Sequence, residues 1–315
     1  MNPDMTYKSK WKETILPLLP PLAAAALAQV SADAPVTELR LRAGQPFHIQ
    51  FDGYARLLFA AGGRPVLRAE DCEGLLSNIC GQALYAWTDE LKNGFVTLPG
   101  GHRAGVAGRA ITEGRHVERL EEVTAFCIRV MRELRGISKN IVPRLLDAEG
   151  YLLPTLIVSP PGCGKTTLLR DMIRAVSAGD YGAVAQSVSV ADERYEIAGS
   201  VRGLPQFALG PRCDVMSGMR KPEAIARMIV AMCPQVIAAD ELRNIRDTEA
   251  ILYAKSCGVT PLATAHADSL PALFLRNGMR PLQKQRVFAR YVLLTRRGGA
   301  GSLSCILDAD GREAA

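Results

Sequence analysis

Residues 155–176 read TLIVSPPGCGKTTLLRDMIRAV, and this stretch decides the fold. Thr155-Leu156-Ile157-Val158 is β-branched and apolar, the composition of a strand buried on both faces of a parallel sheet. Leu168, Leu169, Met172, Ile173 and Val176 recur at helical spacing, with Arg170, Asp171 and Arg174 on the opposite side of the predicted helix. Between strand and helix lies Ser159-Pro160-Pro161-Gly162-Cys163-Gly164-Lys165-Thr166-Thr167, a glycine loop ending in Lys-Thr, the context of a phosphate-binding loop. Gly162 and Gly164 let the backbone approach phosphate oxygens with no Cβ in the way. The amides from about Gly162 to Thr167 open a helix, where free N–H groups and the helix dipole favour an anion. Lys165 is expected on the β- and γ-phosphates of ATP and the Thr166 hydroxyl on Mg²⁺. Ser159 stands where the strict pattern has its first glycine. Pro160 and Pro161 have no N–H to donate, so the cradle must come from the later residues.

Outward from the loop, the chain is long enough for two domains. Its 315 residues have ordinary globular composition, 48% hydrophobic and 22% charged, with a formal net charge of +6. That charge is mild and no long basic block occurs, so nucleic acid is not demanded. The eight cysteines include no Cys-x-x-Cys pair and are expected as reduced, mostly core residues, with Cys163 exposed in the loop. Residues 1–36 include an apolar run at 15–30 after three lysines. Pro17, Pro20 and Pro21 interrupt it, and it is expected as a helical segment packing on the first domain rather than as a signal peptide.

Residues 37–135 predict a smaller α+β domain. Strands are expected at Glu38–Arg42, Phe47–Phe51 and Tyr54–Ala60, the last pair joined through Asp52-Gly53. One or two helices follow over 69–91, then strands at Phe95–Leu98, Arg103–Ala110 and near Phe126–Met131. Arg40, Arg42, Arg103, Arg109 and Arg129 alternate with core positions, fitting either a solvated sheet face or a face turned to an anion or another subunit.

Residues 136–315 predict an α/β domain with a mostly parallel sheet. The strand Ser187–Ala191 runs into Asp192-Glu193, placing carboxylates at a strand's C-terminal end, where open parallel sheets bind ligands. A helix over Lys221–Met232 precedes Val236-Ile237-Ala238-Ala239-Asp240-Glu241, four apolar residues capped by two acids. After a phosphate loop at this distance, that is a Walker B arrangement, with Asp240 for Mg²⁺ and Glu241 to polarise the attacking water. A helix is expected at Asp247–Lys255 and a strand at Val259–Ala265. The latter ends at His266, read as a sensor of the γ-phosphate in preference to a structural histidine. Strands at Val287–Thr295 and Ser302–Leu307 close the chain as a hairpin around Arg296–Gly301.

The segments ELRLRAGQPF, LPGGHRAGVAGRA, SPPGCGKTTLLRD, VADERYEIAG, CDVMSGMRKPEAIARMIVAMCPQVIAADE and TAHA, in this order across most of residues 38–267, resemble the stage III sporulation protein AA family. That family is similar to the motor ATPases of type II and type IV secretion. The resemblance implies an N-terminal domain hinged to a RecA-like P-loop ATPase domain, with six copies in a ring. It implies that Asp192-Glu193 is an acidic box, Asp240-Glu241 the Walker B box and His266 a histidine box. It also implies that arginines such as Arg212 and Arg220, or Arg40, Arg42, Arg103 and Arg109, reach a nucleotide across a junction. Leu242-Arg243-Asn244 departs from the Ile-Gly expected after the acidic pair. The implied role is a cytoplasmic ATPase at a membrane channel or export complex during endospore formation. An ATP-driven nucleic-acid motor is the alternative, because RecA-like domains serve both. The 6% aromatic content and the lack of an arginine-rich aromatic groove weigh against it. A Leu-Ser-Gly-Gly-Gln-like signature of an ABC transporter subunit is also missing from the sequence.

Overall fold

In a computed structural model of the chain, the described residues are 6–8, 11–32, 34–51, 54–58, 63, 65–81, 91, 94–113, 116–131, 133–276, 278–295 and 301–314. The chain divides into two compact units, one of Lys8–Glu133 and one of Leu134–Ala315 with Met1–Tyr7. A two-stranded ribbon pairs β1 (Thr6–Lys8) with β8 (Glu133–Arg135).

The first unit is an antiparallel six-stranded sheet with helices. Its strands are β2 (Val36–Arg42), β3 (His48–Phe51), β4 (Tyr54–Leu57), β5 (Phe95–Thr97), β6 (Arg103–Glu113) and β7 (His116–Arg129), in spatial order β4-β3-β2-β7-β6-β5. Leu39 and Leu41 point inward and their neighbours outward, the period-2 alternation that the sequence shows. The helices α1 (Trp11–Ile15) and α2 (Pro21–Ala28) bury Trp11, Ile15, Ala23 and Leu27 in the same core as Leu39, Phe47 and Ile49. Much of the segment expected at 1–36 therefore shares the first unit's core. Helix α3 (Ala69–Cys80) ends where Gly81 turns left-handed at φ 58°, a conformation glycine adopts without a Cβ penalty. The expected continuation through Leu84 and Trp87, the Asp52-Gly53 turn and residues 296–300 lie outside the described residues. The strand arginines have local partners: Arg40 pairs with Glu38, Arg109 with Glu121 and Glu122, and Arg103 lies 3.6 Å over the Phe95 ring.

The second unit carries a seven-stranded sheet: β9 (Thr155–Ser159), β10 (Val188–Asp192), β11 (Cys213–Ser217), β12 (Val236–Leu242), β13 (Thr260–His266), β14 (Arg290–Thr295) and β15 (Ser302–Asp308). Their order is β11-β10-β12-β13-β9-β14-β15, with every pairing parallel except the terminal hairpin β14–β15. The helices are α4 (Lys165–Ala178), α5 (Lys221–Met232), α6 (Ile245–Ser256), α7 (Leu270–Leu275) and α8 (Arg280–Lys284). Residues of both faces of β9 are buried, Ile157 with Leu168, Met172 and Val176 of α4, and Leu156 and Val158 with Ile225 of α5 and Ile251 of α6. Burial of each large aliphatic side chain contributes about 1.5–3 kcal/mol, which fixes α4 to the sheet and points its N-terminus at the strand ends. Among the described residues, no helix is long and apolar enough to cross a membrane.

Packing encloses the polar side of α4 and corrects the expectations for the cysteines. The polar side of α4 is not solvated: Arg170 and Asp171 are buried. Asp171 accepts from the Ser138 amide (2.9 Å), the Ser138 hydroxyl (2.7 Å) and Arg174 Nε (2.9 Å), so it ties α4 to the segment entering the domain. Cys163 is only 1% exposed, because the loop turns its side chain into the core beside Leu168. Cys233 and Cys257, expected inside, are exposed.

Candidate nucleotide site

The loop after β9 is shaped by two left-handed glycines, Gly162 at φ 76° and Gly164 at φ 86°. A Cβ on Gly162 would meet nothing within 4 Å, so the loop encloses open space. Gly164 is the N-cap of the 14-residue α4, whose first amides have no acceptor within the helix and face that space. The Gly301 amide donates to the Cys163 carbonyl at 2.7 Å and braces the loop from behind.

Lys165 is 5% exposed. Its ammonium lies 3.0 Å from the Ser159 carbonyl, 3.1 Å from the Ser159 hydroxyl, 3.0 Å from the Pro160 carbonyl and 2.9 Å from His266 Nδ1. Burial pulls the Lys165 pKa down, and the Asp240 charge partly restores it. The charge is thus held in the loop by acceptors that a phosphate can replace.

Asp240 and Glu241 meet the loop through a defect in β12. Neighbouring side chains in a regular strand point to opposite faces. Here the register with β13 shifts between Ala239 and Leu242, and Glu241 adopts φ 57°. A left-handed glutamate costs about 1–3 kcal/mol, strain of the kind that collects at functional sites. The bulge turns both carboxylates to one pocket. Asp240 accepts from the Thr166 hydroxyl at 2.6 Å and from the Thr264 hydroxyl. Glu241 lies 2.7 Å from His266 Nε2, 3.5 Å from Arg194 and against Arg243. The strained residue is held on both sides. The Glu241 amide donates to Thr264 Oγ1 at 2.8 Å, and the Glu241 carbonyl accepts from Lys221 Nζ at 2.8 Å.

A cavity of about 410 Å³ results, lined by Gly162, Gly164, Lys165, Thr166, Thr167, Glu196, Asp240, Glu241 and His266. Its donor set suits a polyphosphate with a hard cation: free helix amides, a buried ammonium, and a hydroxyl and carboxylate in mutual contact.

The remaining sequence candidates fall elsewhere. Asp192 is 2% exposed, and its carboxylate accepts from the amides of Glu196 (2.9 Å), Ile197 (3.1 Å) and Ala198 (2.8 Å). Its oxygens brace the turn after β10, and burial raises its pKa. Glu193 is exposed and lies 3.8 Å from Lys221. Arg220 stands at the N-cap position of α5, without a capping side-chain hydrogen bond, at the pocket's end of the sheet. Arg212 precedes β11, which runs parallel to β10, so it sits about 16 Å along the strand from the pocket's end of the sheet. Asn244, in the departing Leu-Arg-Asn segment, caps α6 by accepting from the amides of Arg246 and Asp247. Sequence reasoning passed over Lys221 and Arg194. For Lys221 a signal exists, since a lysine at the first position of a helix opposes the helix dipole.

A model of the sporulation stage III, protein AA family matches residues 10–314. The chain is also 39% identical over 276 residues to stage III sporulation protein AA of Bacillus subtilis (strain 168), covering 88% of each. The chain belongs to the stage III sporulation protein AA family. Among solved structures, this family member is similar to the pilus retraction motor PilT with bound ADP (TM-score 0.59, 15% identity, 89% of this chain and 77% of that one). It is also similar to the Legionella pneumophila ATPase DotB (TM-score 0.52, 15% identity, 82% and 72%). The sporulation protein therefore has the fold of secretion ATPases, a RecA-like P-loop domain preceded by a smaller domain.

Proposed function

We propose that this sporulation protein is an Mg²⁺-dependent ATPase, working as a hexameric motor that energises a membrane channel or export complex during endospore formation. The observation that carries the reading is the convergence of Lys165, Thr166, Asp240 and Glu241 on one cavity at the mouth of a phosphate-binding loop. The loop amides and Lys165 would hold the β- and γ-phosphates. Thr166 and Asp240 would hold Mg²⁺, which supplies charge neutralisation when bound. Glu241 is the base: its carboxylate takes a proton from the attacking water. His266 orients that carboxylate and, through Nδ1, senses the Lys165 ammonium. Likeness to PilT and DotB, a retraction motor and an ATPase, supports a motor in preference to a phosphate-binding module. A ring at the cytoplasmic face of a membrane complex extends that likeness.

The test is ATP hydrolysis with and without Mg²⁺, together with particle mass. The reading expects Mg²⁺-dependent phosphate release and, with ATP, a sixfold mass. A monomer under all conditions would remove the ring, and absent hydrolysis would remove the enzyme.

A further inference from the structure

Lys221 has three properties that a surface lysine lacks. It is 3% exposed. It is the first residue of α5, the positive end of the helix dipole, where a cation is disfavoured. Its ammonium joins three elements: 2.8 Å to the Glu241 carbonyl in the β12 bulge, 3.8 Å to Glu193 after β10, and 3.8 Å to Asp247 in the first turn of α6. Asp247 also accepts from the Arg243 amide at 2.7 Å, closing a ring of contacts around the segment that follows Glu241. A small void of about 20 Å³ lies beside this cluster, bounded by Glu193, Arg194, Lys221, Asp240, Glu241 and Arg243. Burial and the helix terminus both disfavour this charge, and two carboxylates and one carbonyl offset them.

The carbonyl is the informative partner. Glu241 is a left-handed residue within a strand. Its amide is fixed by Thr264 and its carbonyl by Lys221, so the two contacts hold the peptide planes on either side of the Glu241 Cα and with them the direction of its side chain. We infer that Lys221 is a positioning residue of the hydrolytic reaction, which holds the Glu241 backbone in its bulged conformation and so aims the Glu241 carboxylate. This rests on the ATPase reading above. Lys221 does not itself line the cavity, and it meets that lining through the Glu241 carbonyl, so its effect passes through Glu241.

The experiment is a double-mutant cycle on the full chain, measuring kcat and KM for ATP hydrolysis, nucleotide affinity and melting temperature. Lys221→Met in the wild-type background is expected to lower kcat about 10- to 100-fold, the scale of misplacing a reacting group by about 1 Å, with nucleotide affinity within about threefold. In a Glu241→Gln background the same change is expected to cost no more than about twofold, because the base it aims is already gone. Lys221→Arg, which keeps the charge and a donor, is expected to recover part of kcat. It also serves as the test variant if Lys221→Met does not fold. Unchanged kcat, an equal loss in both backgrounds, or a loss of affinity matching the loss of kcat would overturn the inference. Wild-type protein without hydrolysis would instead overturn the ATPase reading itself.

Discussion

His266 Nε2 lies 2.7 Å from Glu241 Oε1, while the other ring nitrogen lies 2.9 Å from the Lys165 ammonium. An ammonium only donates, so Nδ1 accepts and the ring hydrogen sits on Nε2, directed at the carboxylate. Burial and the Lys165 charge lower the His266 pKa, which keeps this neutral tautomer. His266 thus links the Lys165 ammonium to the Glu241 carboxylate. His266→Ala is expected to lower kcat about 10- to 100-fold with nucleotide affinity within about threefold, measured by steady-state hydrolysis and nucleotide titration. Affinity that falls as far as kcat would make His266 a binding residue instead.

Under the proposed ATPase reading, the two carboxylates at the end of β12 divide the work. Glu241→Gln is expected to retain nucleotide and to hydrolyse it about 10²- to 10⁴-fold more slowly, since the base is lost and the metal side survives. Asp240 contacts the Thr166 hydroxyl, so Asp240→Asn is expected to weaken Mg²⁺-dependent binding. Titrating Mg²⁺ against nucleotide affinity in both variants separates the roles, and identical behaviour would contradict the division.

Much of this site is legible in the sequence because its chemistry is local. Glycines, Lys165 and Thr166 are adjacent, and an apolar run ending in two acids marks a strand tip. What is not legible is which polar atoms the fold consumes. Asp192 stands at a strand tip just as Asp240 does, yet three backbone amides occupy it. The left-handed turn at Glu241 depends on a register shift against β13, a tertiary event with no glycine to announce it. Arg170 and Asp171 alternate with an apolar stripe as solvated residues would, but loops close over them and supply partners. The order β12-β13-β9, which separates the two acids from the phosphate loop by one strand, follows from strand pairing that no local pattern encodes.

Arg212 lies at the end of β11 away from its own phosphate loop, so any action on a nucleotide is on a neighbouring copy. Arg220, exposed at the pocket's end of the sheet, is the second candidate. In a ring with shared sites, mixing Lys165→Ala with Arg212→Ala restores part of the activity, because some junctions then hold one intact site. Specific activity also rises with protein concentration. Activity per subunit that stays flat on dilution, with no rescue from either arginine variant, would remove the shared site while leaving the ATPase standing.

In the first unit, His102 is buried, accepting at Nδ1 from the Met131 amide (2.9 Å) and meeting the Thr14 hydroxyl at Nε2 (2.9 Å). Burial depresses its pKa from 6.5 to about 4. The unfolded chain therefore takes up the proton first as pH falls. The contribution is fully present above pH 6.5 and is lost as pH falls towards 4, by about 3 kcal/mol in all. Both tryptophans of the chain, Trp11 and Trp87, belong to this unit's sequence, so urea unfolding followed by tryptophan fluorescence at pH 7 and pH 4.5 reads the effect. A His102→Gln variant is expected to show a shallower pH slope, and an unchanged slope would contradict the assignment.

The central claim is that the loop from Ser159 to Thr167 holds a nucleoside triphosphate through the Lys165 ammonium, already held there by the Ser159 and Pro160 carbonyls. The most direct measurement is titration of a fluorescent ATP analogue against wild-type protein and Lys165→Ala. Saturable wild-type binding that the substitution abolishes is the predicted result. Undiminished affinity in the variant would mean that this loop is not the nucleotide site.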